Sequence, residues 1–191
     1  MLDSALMSTV MSNGWANEFG RYCETIGGLF GMTLSEVGCE YLATRGFTPL
    51  HKVLLRIDTS VTFEHFLDSL SRAGKLEALI DRPDYHCRTP MTWAVEFGWA
   101  DAVRILLNYG ANPHRVAHAR KGASTLLHLV LAGTTSQFFG SSFLDVVDIL
   151  LAAGVDISAQ DHEGWTPLHI AASWGYIPVG LWTIRSSTGM H

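Results

Sequence analysis

The sequence predicts an all-α solenoid of helix–turn–helix units stacked side by side, on three observations. A short string recurs: Thr166-Pro167-Leu168-His169 reappears as Thr48-Pro49-Leu50-His51 and, altered, as Thr89-Pro90-Met91-Thr92 and Thr125-Leu126-Leu127-His128, with threonines spaced by 41, 36 and 41 residues. Self-similarity at a period of roughly 20–50 residues marks units that bury their apolar faces by stacking on one another. Behind each string, apolar residues recur at helical spacing. With 48% hydrophobic and 16% charged residues, the 191-residue chain can fill a core and is not of disordered composition.

The second unit shows the helical reading most fully. Thr89 suits an N-cap and Pro90 the first helical position, where a missing N–H costs nothing. Met91, Ala94 and Val95 form an apolar stripe, and Gly98 ends the short helix. A second helix is predicted from about Ala100 to Asn108, with Val103, Leu106 and Leu107 on one face and Gly110 just past its end. Ala94, Gly98, Val103, Leu106, Leu107 and Gly110 stand 5, 9, 14, 17, 18 and 21 residues after the threonine, a spacing that resembles the ankyrin-repeat family. The resemblance covers about residues 43–180 and implies helix–turn–helix units joined by short hairpin-like loops.

The other units depart from that pattern in particular ways. In the third, Val147, Leu150, Leu151 and Gly154 keep the second-helix spacing, but Val147 falls 22 residues after Thr125 instead of 14. A surface loop around Gly133–Ser142 absorbs the excess, at little cost in closure entropy; Phe138 and Phe139 are unusual within it. In the first, Phe63, Phe66, Leu67 and Leu70 suggest the second helix, with Gly74 after it and Leu76 to Ile80 as an extra turn. The fourth begins well at Thr166, yet Gly180, Thr183 and Ile184 replace the expected valine and leucine pair. The predicted organisation is an N-terminal cap or partly ordered segment over 1–42, a repeat domain over 43–184 (repeats about 43–82, 84–118, 120–160 and 161–184) and a tail over 185–191.

Composition bounds the function classes. Thirteen basic and 18 acidic residues give −5, which offers no broad attraction to nucleic acid or an anionic membrane. Cys23, Cys39 and Cys87 form no CxxC pair and leave one over, as in a reduced compartment. The N-terminus lacks the basic region of a signal peptide, and the longest apolar run, Leu126 to Gly133, falls short of a membrane span. A cytoplasmic or nuclear location is expected.

No catalytic string, cofactor motif or metal site is predicted. There is no G-x-S-x-G elbow, phosphate loop or G-x-G-x-x-G. His114 and His118 are four apart, but no glutamate follows the first and no third ligand is near. Asp145 and Asp148 read as a solvated helix face, and Cys87, standing where other repeats have glycine, as a small buried residue. His51, His128 and His169 resemble the family's scaffold histidine, which ties adjacent loops by hydrogen bonds.

Function is expected at positions the scaffold does not need. The resemblance implies that loop tips and exposed first-helix faces form a concave surface for a partner protein. Carried over by position, the tips are Tyr85, His86 and Arg88, then Lys121 and Ser124, then His162, Glu163 and Trp165; Glu96, Phe97, Ser173 and Trp174 take the helix places. Tyrosine, tryptophan and arginine are the types most enriched at binding hot spots. The basic loop with His114, Arg115, His118, Arg120 and Lys121 could favour an acidic partner or be merely solvated. The expected function is a non-catalytic interaction module or adaptor. Alternatives are a regulatory subunit or transcription coregulator, or a truncated scaffold that self-associates through Leu181, Trp182 and Ile184. An enzyme is the least expected.

Overall fold

Ahead of three of the first helices, a threonine and a histidine three residues on together start the helix. At Thr48 the hydroxyl accepts from the His51 N–H, while His51 Nδ1 accepts from the Thr48 N–H at 3.3 Å and from its hydroxyl at 2.8 Å. This is a capping box with imidazole in the role usually taken by glutamate. Pro49 sits at the first helical position and Leu50 is buried behind it. Thr125 with His128, and Thr166 with His169, repeat the arrangement at 2.8 and 2.9 Å between Oγ1 and Nδ1.

The computed structural model describes residues 44–58, 60–115, 117–119, 122–133 and 142–173. The expected N-terminal cap, the loop with Phe138 and Phe139, and the fourth repeat's tail with Leu181, Trp182 and Ile184 lie outside them. The chain divides into two compact units after Pro90.

In the first unit, α1 (Pro49–Leu54) packs on α2 (Phe63–Arg72), which is followed by α3 (Leu76–Ile80). Phe63, Leu67 and Leu70, on one face of α2, are buried against Leu50, Val53 and Leu54 of α1 in the unit's core. The first repeat, which departs from the pattern in its sequence, therefore still forms a helix pair.

The second unit begins within α4 (Pro90–Glu96) and continues through α5 (Ala100–Asn108), the strands β1 (Ala117–Ala119) and β2 (Gly122–Ser124), α6 (Leu126–Gly133), α7 (Ser142–Ala152) and α8 (Pro167–Ser173). Helices α5 and α7 lie against each other, as do α6 and α8. Val103 and Leu106 of α5 and Val147 and Leu150 of α7 are all buried, as stacking requires. The enlarged tip between repeats two and three closes into a two-stranded antiparallel hairpin, pairing Ala117 with Ser124 and Ala119 with Gly122, against α6.

The histidines also reach forward. His51 Nε2 donates to the Arg88 carbonyl at 3.0 Å, and His128 Nε2 to the Trp165 carbonyl at 2.9 Å, each 37 residues ahead. A carbonyl only accepts, so Nε2 carries the proton and Nδ1 is free to accept from the threonine. Burial pushes His51 below its ordinary 6.5, against the opposing pull of the Arg88 carbonyl and the Asp84 carboxylate.

Between that lowered value and 6.5, the unfolded chain binds a proton that the folded chain refuses. Stability should be full above about pH 6.5 and decline as the pH falls below it. Thermal melts from about pH 8 to about pH 5.5 should show the midpoint dropping, with a shallower drop in His51→Gln.

Cys87 differs from its expected burial: it is exposed, at φ +61°. The turn there needs a left-handed residue, supplied by Gly46 at φ +63° and Gly164 at φ +82° in the matching places of other repeats. A cysteine so placed bears a steric cost that glycine does not. Cys87→Gly should raise stability by about 0.5–1 kcal/mol in denaturant titration. Gly46→Ala should lower it by more than strain alone, because a Cβ there would lie 2.5 Å from the Tyr85 ring.

Candidate partner-binding surface

An aspartate five residues before the threonine organises each of two loop tips. Asp84 Oδ1 accepts the N–H groups of His86 and Arg88 at 2.8 and 3.0 Å, and its own N–H donates to the Arg88 carbonyl at 2.8 Å. Asp161 Oδ1 accepts from Glu163 and Trp165, both at 2.9 Å, and its N–H donates to the Trp165 carbonyl at 2.8 Å. Two tips far apart in sequence thus adopt one geometry. The signal for this role in the sequence is the identical offset of the two aspartates from Thr89 and Thr166.

The two carboxylates sit in different surroundings. Asp84 is buried, with its other oxygen 3.9 Å from the buried Arg45 guanidinium. At Asp161, desolvation works to raise the pKa, but the N–H groups of Trp165 and Glu163, with His128 and His162 nearby, outweigh it and hold the group below 3.8. It is therefore ionised at neutral pH.

In the first unit, Tyr85 is 79% exposed with its ring over Gly46, and its N–H donates to the Arg45 carbonyl at 2.8 Å. His86 is exposed beside it, while Arg88 is half-buried with its main chain used by Asp84 and His51. A rigid turn holding out an aromatic ring loses little entropy when that ring is covered.

In the second unit, His162 and Glu163 are exposed, 3.7 Å apart between Nε2 and Oε1. Trp165 is 45% exposed, its ring edge-on to His169 at 6.2 Å between centroids. Ser173 is exposed, with its hydroxyl donating to the Ile170 carbonyl at 2.8 Å. Ser124 lies in β2, opposite Ala117, and Glu96 is half-buried at the end of α4.

Phe97 must be removed from the surface. It is 5% exposed and stacks on Trp93 at 5.7 Å and Trp99 at 4.9 Å, an aromatic run in the core. The residue after α4 turns inward to cover the junction with α5, so the position carried over by resemblance belongs here to packing. Lys121 and Trp174 lie outside the described residues.

His114 falls in a turn and His118 in β1, so no helix aligns them. Asp145 and Asp148 are exposed on α7; burial and the Asp145 charge raise Asp148, while Arg104 opposes them. Arg104, Leu107, Asp148 and Ile149 border an open cleft of about 630 Å³ between α5 and α7. Among the described residues, no helix is long and apolar enough to cross a membrane.

Comparison with known proteins agrees with this geometry. The family model described as "Ankyrin repeat" matches residues 86–118, and "Ankyrin repeats (many copies)" matches 141–179. The chain belongs to the ankyrin-repeat family. It is 40% identical over 60 residues to protein phosphatase 1 regulatory subunit 12A of Mus musculus, covering 31% of this chain and 5% of that protein. It is 46% identical over 48 residues to the mouse DNA-binding protein RFXANK, covering 25% of this chain and 18% of that one. To the mouse B-cell lymphoma 3 protein homolog it is 30% identical over 138 residues, or 70% of this chain and 28% of the relative. The chain thus spans only a minor part of each of these relatives. As an ankyrin array it is a protein-interaction module.

Removing either tip aspartate should have unequal effects. Asp84→Ala leaves Arg45 buried without its carboxylate and should cost about 3 kcal/mol in chemical denaturation. Asp161→Ala should change the unfolding midpoint little, and loosen only its own turn in hydrogen exchange.

Proposed function

We infer that the chain is a non-catalytic adaptor that holds a partner protein through its loop tips. The observation that carries this is the outward display of Tyr85 and Trp165 from turns already locked by Asp84 and Asp161. Large aromatic surfaces on pre-organised loops contribute contact area at low entropic cost. His86, His162 and Glu163 add polar contacts at the rims of the same tips. Glu96, Ser124 and Ser173 remain flanking candidates, and Lys121 and Trp174 complete the set by resemblance alone.

The names of the relatives, a phosphatase regulatory subunit among them, support a role in bringing proteins together. A regulatory-subunit or coregulator role is the finer form of this proposal, in the cytoplasm or nucleus. Direct contact with nucleic acid is not part of it, because a chain of net charge −5 repels phosphate.

Affinity purification with quantitative mass spectrometry tests the reading. The Tyr85→Ala and Trp165→Ala double variant should lose at least about tenfold of a specific partner, as for hot-spot residues, with unchanged helical circular dichroism. Equal recovery by the native chain and a folded double variant would refute binding through the tips.

A further inference from the structure

Helices α5 and α7 lie side by side in the second unit and leave an open cleft of about 630 Å³ between them. Its floor is apolar: Ala111 and Ile149 are buried, and Leu107, Pro113 and Ala153 are half-buried. The volume lies within the range of ligand sites, but so open a mouth would not enclose most of a small molecule. A chain segment carried on the body of a partner protein covers such a floor instead. Two neighbouring helices form a groove, and the side-chain ridge of a third helix drops into it.

The rim sets the charge of that third helix. Arg104 and Asn108, one turn apart, stand on the α5 wall, and Asp148 stands on the α7 wall, all three exposed. Asp145 lies three residues before Asp148 and so on the same face of α7, also exposed. Two carboxylates thus share the rim with one guanidinium. Burial and the Asp145 charge raise Asp148 above its ordinary 3.8, and Arg104 only opposes them. A cation at this mouth offsets the repulsion between the two carboxylates, whereas an anion adds to it. Ala152, one turn beyond Asp148, presents only a methyl group on the same wall and lets a helix come close.

We propose that the cleft between α5 and α7 is a second docking site, which takes an amphipathic helix of a partner protein bearing lysine or arginine beside its apolar face. Apolar residues at i, i+3 and i+7 of that helix cover Leu107, Pro113 and Ile149. A basic side chain lays its aliphatic stem along Ala152 and brings its cationic head to Asp145 and Asp148. The site belongs to the second helices and shares no residue with the loop tips, so it goes beyond the adaptor reading and adds a partner class to it.

The full chain is titrated into a fluorescently labelled alanine-based helix with leucine at i, i+3 and i+7 and lysines beside them, and anisotropy is recorded. A twin helix with glutamate in place of lysine is the control. The lysine helix should bind with a Kd on the order of 10 μM, weaken several-fold between low and high salt, and outcompete its twin. Asp148→Lys should weaken binding about fivefold or more, and Ala152→Trp, which fills the mouth, about tenfold. Both positions are exposed, so the thermal midpoint should hold. Where either variant unfolds, Asp148→Asn, which removes one charge and adds no bulk, should still weaken binding about threefold. The Tyr85→Ala and Trp165→Ala double variant should bind the lysine helix as the native chain does. No saturable binding, equal binding of both helices, binding unchanged in the folded cleft variants, or binding lost in the tip variant overturns the proposal. So does sedimentation showing a dimer that Ala152→Trp abolishes, which would put a second copy in the cleft. If the lysine helix fails while the tip variant still loses its own partner, the second site falls and the adaptor reading stands.

Discussion

At two places in this chain one imidazole performs two tasks, joining the start of its own helix to the repeat that follows. Through Nδ1 it completes the cap of its own helix; through Nε2 it holds a carbonyl of the following repeat. A helix of only six or seven residues has little stability of its own, so a cap that is also a tie between neighbours couples local order to tertiary order. Only the neutral ring can do this, with one nitrogen accepting and the other donating. Burial of His51 keeps it neutral. The second repeat has Thr92 at the equivalent place, buried within α4. A threonine side chain is too short to span both ends of such a link.

The tips show the same economy. In each, one carboxylate gathers two N–H groups and closes the turn that presents the outward residues. Because the turn is held by side-chain-to-main-chain bonds, the residues at its apex can vary without loss of the scaffold. Tyr85-His86-Cys87 and His162-Glu163-Gly164 share a backbone path and almost no chemistry. The scaffold is uniform where it must stack and individual where it meets solvent. The exposed tyrosine of one unit and the tryptophan of the other stand at such variable positions.

Much of this was legible in residue order. The capping threonines, the apolar stripes of α5 and α7 and the divergent first helix pair could all be read in advance, because helical periodicity and capping are local properties. The histidine's scaffold role came from family resemblance, and the 37-residue hydrogen bonds agree with it. Three features were misread or missed. Phe97 has the position of a groove residue but finds Trp93 and Trp99 on either side and turns into the core. Cys87 was expected to be buried, yet it occupies a left-handed turn that faces solvent. Asp84 and Asp161 went unnoticed because acidic residues near a turn look like ordinary surface residues until their acceptors are seen to converge on main-chain N–H groups.

Sequence alone determined the repeat, its helix limits and the inward stripe, since these follow from spacing along a single segment. Only the tertiary structure decided which of the spare side chains stay spare. That depends on how neighbouring side chains are turned in space: Trp93 and Trp99 stack on Phe97, whereas the imidazole of His169 meets Trp165 at an angle and leaves it 45% exposed. Exposure follows from how the folded backbone turns these side chains toward or away from one another, and residue spacing does not contain it.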